Sequence, residues 1–367
     1  MKKLSIEHYT GCLLGGAIGD ALGAPVEFMD INQIRSRYGS PGIRDFVEFP
    51  GNEGEFTDDT QMTLFTAEAL LRAAHRASMK GIGGALNTIA HHSYLSWLHT
   101  QGIALDAGEN EPGANDLING WLLKQKALHQ RRAPGNTCIN ALSNGRAGTI
   151  RNPINDSKGC GTIMRIAPVG LMFTGEAEKS FETGCELSAI THGHPTGYLS
   201  GGCLAALVSD LASGTNLDDG IRNMTEILQK WDHHDETLHA IEQALELYGK
   251  IKNRNLNPSA EDIERLGSGW IAEEALSMSI FTVLLFRDDF SEGILFAVNH
   301  SGDIDSTGSI TGNILGLING VGAIPEKWIR NLKFNYIVRQ VAEDLHIRVK
   351  GDYFNPDDDW WERYPGY

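Results

Sequence analysis

Two stretches far apart in the chain each place acidic and hydroxyl side chains just ahead of a helix-forming run. Carboxylate and hydroxyl oxygens of this kind are the hard donors that Mg²⁺ and Mn²⁺ prefer. If the two helix entrances meet in the fold, their four carboxylates are expected to form a metal site. The residues are Thr57, Asp58 and Asp59 in the first stretch, and Asp303, Asp305 and Ser306 in the second.

Both stretches are also consistent with ordinary helix N-caps, and Asp58 with Gln61 resembles a capping box. A cap, however, needs only one short oxygen side chain. Asp58 and Asp59 place two negative charges side by side, and Asp303 with Asp305 repeats that arrangement. Repulsion makes such pairs costly unless a cation lies between them, so the two stretches together favour a metal site.

Glu27 is a candidate for proton transfer. It follows a glycine-rich helical run and Pro25, which is expected to end the helix and direct the next residues away from it. Apolar neighbours would raise the pKa of this carboxyl group, as a general acid or base near neutral pH requires. The alternative is a solvated loop residue.

Residues 157–161, Ser-Lys-Gly-Cys-Gly, precede a helical run that ends at Pro168. Backbone amides in such a loop can surround phosphate oxygens. The segment matches neither a Walker loop nor the dinucleotide fingerprint, and a plain turn is equally consistent with it. His192 and His194 have no third soft ligand nearby, so His192 is interpreted as a hydrogen-bonding residue and not as a zinc ligand.

Two rows of glycine indicate how these residues are positioned. Glycine recurs at every fourth position from 11 to 23, and again from 308 to 320. On a helix such a row forms one ridge, which lets another backbone approach closely. Because each glycine costs about 1 kcal/mol relative to alanine in a helix interior, we expect two closely packed central helices. A flexible glycine-rich loop is the alternative.

Apolar residues recur at helical spacing through most of the remaining chain, for example across residues 86–98, 217–231 and 238–248. Sustained strand-like alternation is missing, and no long linker divides the chain. The prediction is therefore a single all-α domain over residues 1–367, with residues 1–9 as a candidate N-terminal arm.

The composition restricts the class of partner. The 367 residues include 31 Lys and Arg against 47 Asp and Glu, a formal net charge of −16. That charge argues against nucleic acid and against an anionic membrane. The five cysteines form no C-x-x-C pair, no secretory signal is evident, and no run approaches the roughly 18 apolar residues of a membrane helix. A cytoplasmic protein is expected.

Taken together, these segments resemble the ADP-ribosylglycohydrolase family, whose bacterial type is the dinitrogenase-reductase-activating glycohydrolase. The resemblance implies an all-α orthogonal bundle with a binuclear centre of two Mg²⁺ or Mn²⁺ ions. The matching segments follow the family's order and are residues 15–28, 56–62, 134–138, 157–168, 191–198 and 298–316.

The resemblance also implies roles for single residues. Glu27 would lie beside the scissile bond and act in catalysis with Asp58 and Asp303, and a hydroxyl at Ser306 or Thr307 would complete the metal site. The metal ligands would be Thr57, Asp58, Asp59, Asp303, Asp305 and Ser306. The substrate-binding residues would be Asp20, the diphosphate loop of Ser157, Lys158, Gly159, Cys160 and Gly161, and His192 and Tyr198 along the ADP-ribose groove.

The activity that the resemblance implies is hydrolysis of the N-glycosidic bond between ADP-ribose and an arginine side chain of a modified protein. The alternatives are another linkage (serine, O-acetyl or nucleobase) and a binder that blocks an ADP-ribosyltransferase without catalysis. Some bacterial members protect against ADP-ribosylating toxins, which makes a cognate ADP-ribosyltransferase toxin a candidate partner. Residues 1–9 and 102–134 are the candidate contact segments, and acceptor specificity is expected in residues 28–56 and 102–134.

Overall fold

Helices make up all the regular secondary structure of the residues that the computed structural model describes, which are 4–47, 53–103, 119–351 and 360–366. These residues contain no β-strand, and a single isolated bridge joins Gly159 to Ile271. The prediction of an all-α fold is confirmed.

The described α-helices are numbered in chain order. They are α1 (Ile6–Gly23), α2 (Ile31–Tyr38), α3 (Asp58–Lys80), α4 (Leu86–Thr100), α5 (Asn136–Ser143), α6 (Ala167–Met172), α7 (Ala177–Ala189), α8 (Pro195–Ala212), α9 (Leu217–Leu228), α10 (Asp235–Arg254), α11 (Ala260–Ile263), α12 (Ala272–Leu285), α13 (Phe290–Ala297), α14 (Ile304–Asn319), α15 (Glu326–Asn331), α16 (Asn335–Lys350) and α17 (Trp360–Arg363). Short 3-10 turns lie at Ala24–Val26, Leu122–Lys124, Lys126–Leu128, Ile163–Arg165, Glu264–Leu266 and Val321–Ala323.

The two glycine rows pack against each other along the centre of the domain, one on α1 and one on α14. A Cβ built on Gly19 would overlap the carbonyl oxygen of Gly308, and a Cβ on Gly15 would overlap that of Gly312. Only glycine allows the two backbones to approach this closely. The prediction of two closely packed glycine-rich helices is correct.

This contact also brings the site residues together. A Cβ on Gly23, the last residue of α1, would lie 2.6 Å from the backbone nitrogen of Asp305 in the first turn of α14. The turn that carries Glu27 therefore follows α1 directly at the entrance of α14. The packing of two backbones thus places a catalytic candidate beside two candidate metal ligands.

The entrance of α3 is held against α1 by Asp20. Thr57 is the N-cap residue of α3, and its side chain accepts a hydrogen bond from the amide of Asp59 at 3.4 Å. Asp20 in turn accepts from the amides of Thr57 (2.8 Å) and Thr60 (3.0 Å). An N-cap, which the sequence left open as an alternative, is therefore present at α3, and the capping residue is Thr57.

Within the candidate arm at residues 1–9, residues 6–9 form the first turn of α1. Tyr9 is buried there, and its hydroxyl donates to the carbonyl oxygen of Leu171 at 3.1 Å. Residues 1–3 and 104–118 lie outside the described part of the chain. Contact of the segments 1–9 and 102–134 with a toxin stays a prediction.

Within the described residues, no single helix is both long and apolar enough to cross a membrane. Two consecutive helical segments, Ile6–Val26 and Ile31–Tyr38, are together long and apolar enough by length and composition, but they are bent by 89° relative to each other.

Candidate metal centre and active site

A cavity of about 210 Å³ lies where the end of α1 meets the first turns of α3 and α14. Both acidic stretches of the sequence reach it, so the four carboxylates do converge. Each lining carboxylate is buried, with between 2% and 8% of its residue exposed. The five are Glu27, Asp58, Asp59, Asp303 and Asp305.

The carboxylates of the two stretches are close enough to share ligands. Oxygen atoms of Glu27, Asp303 and Asp305 lie within 4.8 Å of one another. The hydroxyl of Thr57 lies 3.3 Å from Oδ2 of Asp305 and 3.4 Å from Oδ2 of Asp59. Thr57 therefore links the entrance of α3 to that of α14, although it does not itself line the cavity.

The donor set fits divalent cations such as Mg²⁺ or Mn²⁺. It consists of hard oxygens, and Oδ1 of Asp59 is buried without a hydrogen-bond partner among the described residues. A buried, unpartnered carboxylate oxygen is expensive unless a cation or water satisfies it. The cluster is consistent with the metal site that is typical of the family that the sequence resembles. The identity of the ions and the assignment of the ligands stay predictions.

Charge repulsion within the cluster is severe. Burial, followed by the negative charge of Asp305, raises the pKa values of Asp58, Asp59 and Asp303 well above their ordinary value. The same two causes raise the pKa of Glu27 to about 10. Protons and cations therefore compete for the same carboxylates.

The structure distinguishes the two hydroxyls at the start of α14. Ser306 lines the cavity. The hydroxyl of Thr307 lies 2.8 Å from Nε2 of His300 and donates to the backbone oxygen of Asp303 at 2.9 Å, so it is committed within the protein. Ser306 is therefore the better placed of the two candidate metal ligands.

Asp20 does not contact the cavity, contrary to its expected role in substrate binding. It is fully buried, and besides the two amides it accepts a hydrogen bond from the hydroxyl of Thr60 at 2.6 Å. All of these donors belong to the entrance of α3. Asp20 is a positioning residue for the acidic stretch that begins at Thr57.

The predicted diphosphate loop contributes to the cavity only in part. Gly159, Cys160 and Gly161 line it, whereas Ser157 and Lys158 do not. The amide of Gly159 donates to the hydroxyl of Ser157 at 3.3 Å, so one predicted phosphate donor is already used inside the loop.

The prediction that Lys158 binds the diphosphate is not supported by its contacts. Its ammonium nitrogen lies 2.5 Å from Oε1 of Glu273 and 2.9 Å from Oε2 of Glu236. Two carboxylates therefore neutralise the charge that a phosphate would need. Tyr198 is likewise buried within α8 and does not line the cavity.

His192 does line the cavity, and its contacts agree with the predicted hydrogen-bonding role. Its Nδ1 lies 2.8 Å from the hydroxyl of Thr191. Burial, together with the nearby guanidinium of Arg165, lowers its pKa to about 3, so the ring is neutral at physiological pH. A Cβ on Gly159 or Gly161 would lie 3.3 Å from Nε2 of His192, so both glycines leave room for the ring.

Other lining residues either have a contact different from the expected one or were given no individual role from the sequence. The thiol of Cys160, assigned to the diphosphate loop, instead donates to Oδ2 of Asp303 at 2.7 Å. Trp270 lines the cavity from a glycine-rich stretch, where a lone aromatic side chain was the only available signal. Further lining residues from the start of α5 are Asn136, Thr137 and Cys138.

An all-helical domain with a buried carboxylate cluster at converging helix ends is a candidate metal-binding protein. The sequence pattern of the ADP-ribosylglycohydrolase family matches residues 1–354. The chain belongs to the ADP-ribosylglycohydrolase family, which confirms the resemblance found in the sequence.

Individual relatives cover most of the chain at low identity. The chain is 28% identical over 352 residues to an uncharacterized protein of Archaeoglobus fulgidus, with 94% of this chain and 98% of that protein covered. It is 25% identical over 362 residues to the ADP-ribosylarginine hydrolase Tri1 of Serratia proteamaculans, with coverage of 97% and 82%. A solved structure described as an ADP-ribosylglycohydrolase-related protein complex matches with a TM-score of 0.60 at 23% identity, covering 94% of this chain and 98% of that one, which supports the fold.

Proposed function

We propose that this protein hydrolyses the N-glycosidic bond between ADP-ribose and an arginine side chain of a modified protein. The observation that carries the proposal is the grouping of Glu27 with Asp303 and Asp305, whose oxygens lie within 4.8 Å of one another at the cavity. The similarity to the Serratia ADP-ribosylarginine hydrolase supports arginine as the acceptor.

The ligands proposed for the cations are those that the sequence suggested. Two Mg²⁺ or Mn²⁺ ions bound there would supply positive charge for the ribose hydroxyls and for a nucleophilic water. The protein's own contribution is to hold the donors in place, Asp58 and Asp59 through the capped entrance of α3, and Asp303 and Asp305 through the packing of α14 against α1. The proposed set is Thr57, Asp58, Asp59, Asp303, Asp305 and Ser306.

Glu27 is proposed as the proton-transferring group. With its pKa raised to about 10 by burial and by the carboxylates around it, the side chain retains a proton at neutral pH. Cations bound at the cluster would offset that repulsion and bring the pKa of Glu27 closer to neutrality. Glu27 can then donate a proton to the departing guanidine nitrogen or accept one from water.

The remaining lining residues are proposed to orient the substrate. Neutral His192 offers Nε2 for a hydrogen bond, and the small residues Gly159 and Gly161 allow a ligand to approach the backbone closely. A well-placed general acid contributes about 10²–10⁴-fold, so positioning and charge must supply most of the remaining acceleration.

The direct test is to incubate the protein and Mg²⁺ with arginine-, serine- and cysteine-linked ADP-ribosyl peptides and to measure released ADP-ribose. We expect release from the arginine-linked peptide and its loss in the Asp58→Asn, Asp59→Asn double variant. Release only from the serine-linked peptide would refute the arginine assignment while leaving hydrolase activity in place.

Protection against an ADP-ribosylating toxin stays a prediction. Reversal of the modification needs the carboxylate cluster, whereas blocking a transferase needs only a surface segment. Expressing the same double variant with a cognate transferase distinguishes the two mechanisms, because undiminished protection would make binding the principal activity.

A further inference from the structure

Two aromatic side chains form an exposed pair beside the cavity. The rings of Phe28 and Trp270 are stacked, with centroids 5.8 Å apart and planes inclined by 18°. Phe28 is 77% exposed, the most exposed large apolar side chain among the described residues, and Trp270 is 41% exposed. Neither the fold nor the proposed chemistry of the carboxylates accounts for the pair.

Each aromatic residue is connected to the site through the backbone. Phe28 directly follows Glu27, in a turn where the amide of Met29 donates to the carbonyl oxygen of Val26 at 2.8 Å. Trp270 lines the cavity, and its carbonyl oxygen accepts from the amide of Cys160 at 3.1 Å. Trp270 therefore places the pair at the edge of the cavity, and Phe28, which does not itself line the cavity, is adjacent in the chain to the lining residue Glu27.

The backbone before Trp270 is fixed to the acidic cluster. The amide of Asp303 donates to the carbonyl oxygen of Ser268 at 2.7 Å. Oε2 of Glu274 accepts from the amides of Ser268 (2.9 Å) and Gly269 (3.1 Å). Gly269 has a φ of +84°, which favours glycine and sets the direction in which Trp270 leaves the turn. The backbone that carries Trp270 is thus held in place relative to Asp303.

The charge around the pair favours a planar cation. Five carboxylates line the cavity, and none of the described residues that line it is Lys or Arg. A guanidinium group is planar, weakly hydrated and stacks on aromatic faces, whereas a serine hydroxyl has neither the charge nor the flat surface. The leaving group must be on the side of Glu27 if that residue transfers its proton.

We propose that Phe28 and Trp270 form an acceptor subsite that stacks the guanidinium of the modified arginine, and that this pair sets the preference for arginine-linked over serine-linked ADP-ribose. The proposal rests on the proposed function and adds to it the residues that recognise the acceptor. In this proposal the two rings contact the acceptor side chain and not the ADP-ribose portion of the substrate.

The test compares Phe28→Ala and Trp270→Ala with the ring-retaining variants Phe28→Tyr and Trp270→Phe. Tyr336→Ala is the matched control, since Tyr336 is 57% exposed on α16 and belongs to no part of the site. For the alanine variants we expect KM for an arginine-linked ADP-ribosyl peptide to rise about 3- to 30-fold, the range of a cation–π contact. Affinity for free ADP-ribose, measured by calorimetry, should stay within about twofold of the unmodified protein. The ring-retaining variants and the control should behave like the unmodified protein.

The outcomes separate the subsite from the function it rests on. If the unmodified protein cleaves the arginine-linked peptide and the alanine variants cleave it with unchanged KM, the subsite assignment is wrong and the function stands. A parallel loss of ADP-ribose affinity would assign the rings to the nucleotide, and an equal loss with a serine-linked peptide would remove the guanidinium preference. If the unmodified protein releases ADP-ribose from none of the peptides, the proposed function fails and the subsite proposal fails with it.

Discussion

The carboxylate of Asp20 holds the backbone amide of Thr57, whose nitrogen lies 2.8 Å from Oδ1 and 3.0 Å from Oδ2. A buried side chain of α1 thereby sets the position of the residue that caps α3, and with it the direction of Asp58 and Asp59. The acidic cluster depends on this contact between two helices that are far apart in the sequence.

Replacing Asp20 with Asn should weaken metal binding without removing a metal ligand. The donors of Thr57 and Thr60 share the two carboxylate oxygens of Asp20, whereas an asparagine side chain offers them only one oxygen. We therefore expect the free energy of unfolding to fall by about 1–3 kcal/mol. The Mg²⁺ concentration for half-maximal activity should rise as well. Denaturant titration and Mg²⁺ titration measure the two effects.

The matched control for that experiment is Asp210→Asn, a buried aspartate outside the site that accepts from Asn223 at 3.1 Å. It should leave the Mg²⁺ requirement unchanged. If Asp20→Asn raised KM for substrate while its Mg²⁺ titration matched the unmodified protein, Asp20 would be the substrate-binding residue that the sequence suggested.

Glu27→Gln should separate binding from turnover. The amide preserves size and hydrogen bonding but cannot exchange the proton, so kcat is expected to fall about 10²–10⁴-fold while ADP-ribose affinity is retained. Calorimetry with ADP-ribose and with Mg²⁺ provides the comparison. Because Glu27 lies among the candidate ligands, a parallel fall in Mg²⁺ affinity would show that it coordinates a cation instead.

Ser306→Ala and Thr307→Val should have different consequences although the residues are adjacent. Loss of the Ser306 hydroxyl, which lines the cavity, should reduce Mg²⁺ affinity by about tenfold or more with little change in stability. Loss of the Thr307 hydroxyl removes a hydrogen-bond partner of Nε2 of buried His300, so it should cost about 1–3 kcal/mol of stability. Thermal unfolding and Mg²⁺ titration of both variants would expose a reversed assignment.

Stabilisation by Mg²⁺ should increase with pH. Burial and repulsion by Asp305, which outweigh the hydrogen bonds from Thr57 and Thr60, raise the pKa of Asp20 from 3.8 to about 7. The pKa values of Asp58, Asp59 and Asp303 are also raised well above 3.8. The folded, cation-free chain therefore binds more protons than the unfolded chain, and its free energy of unfolding falls as pH rises from about 4 through about 7. Mg²⁺ bound to the deprotonated carboxylates, as proposed, would offset that loss.

Melting temperatures in chelator and in Mg²⁺, each at about pH 5 and about pH 8, test this linkage. The pKa values of His91 (about 4) and His192 (about 3) are lowered in the folded chain, so these histidines make the free energy of unfolding fall as the pH drops below their unfolded pKa. They act in both solutions, so the difference between chelator and Mg²⁺ removes them. An equal Mg²⁺ effect at the two pH values would contradict a carboxylate site.

Gly312→Ala should destabilise the protein strongly. A Cβ at this position would overlap the carbonyl oxygen of Gly15, so the two central helices must separate, and overpacking of this kind costs about 1–3 kcal/mol or more. Gly249→Ala in α10 is the control, because a Cβ there meets no atom within 4 Å. That control should stabilise the protein by about 0.5–1 kcal/mol, and similar unfolding curves for the two variants would refute the close-packing explanation.

Local pattern was enough to predict the helical class, the two glycine-rich helices and the convergence of the two acidic stretches. Helical periodicity and a row of glycines are properties of neighbouring residues, so they can be recognised without knowing any partner. The adjacency of Asp58 and Asp59 is itself an indication of a cation site, because two buried negative charges side by side repel each other unless a cation lies near them.

Only the tertiary structure shows which role each polar side chain has. Asp20 turned out to position α3, the charge of Lys158 is taken by Glu236 and Glu273, and Thr307 faces His300. Trp270 gained its place at the cavity through backbone bonds of residues 268–270 to Asp303, Glu274 and Cys160. Hydrogen bonds and ion pairs act over a few ångströms, so the role of a polar residue follows from which distant segments the packing of α1 against α14 brings within that range.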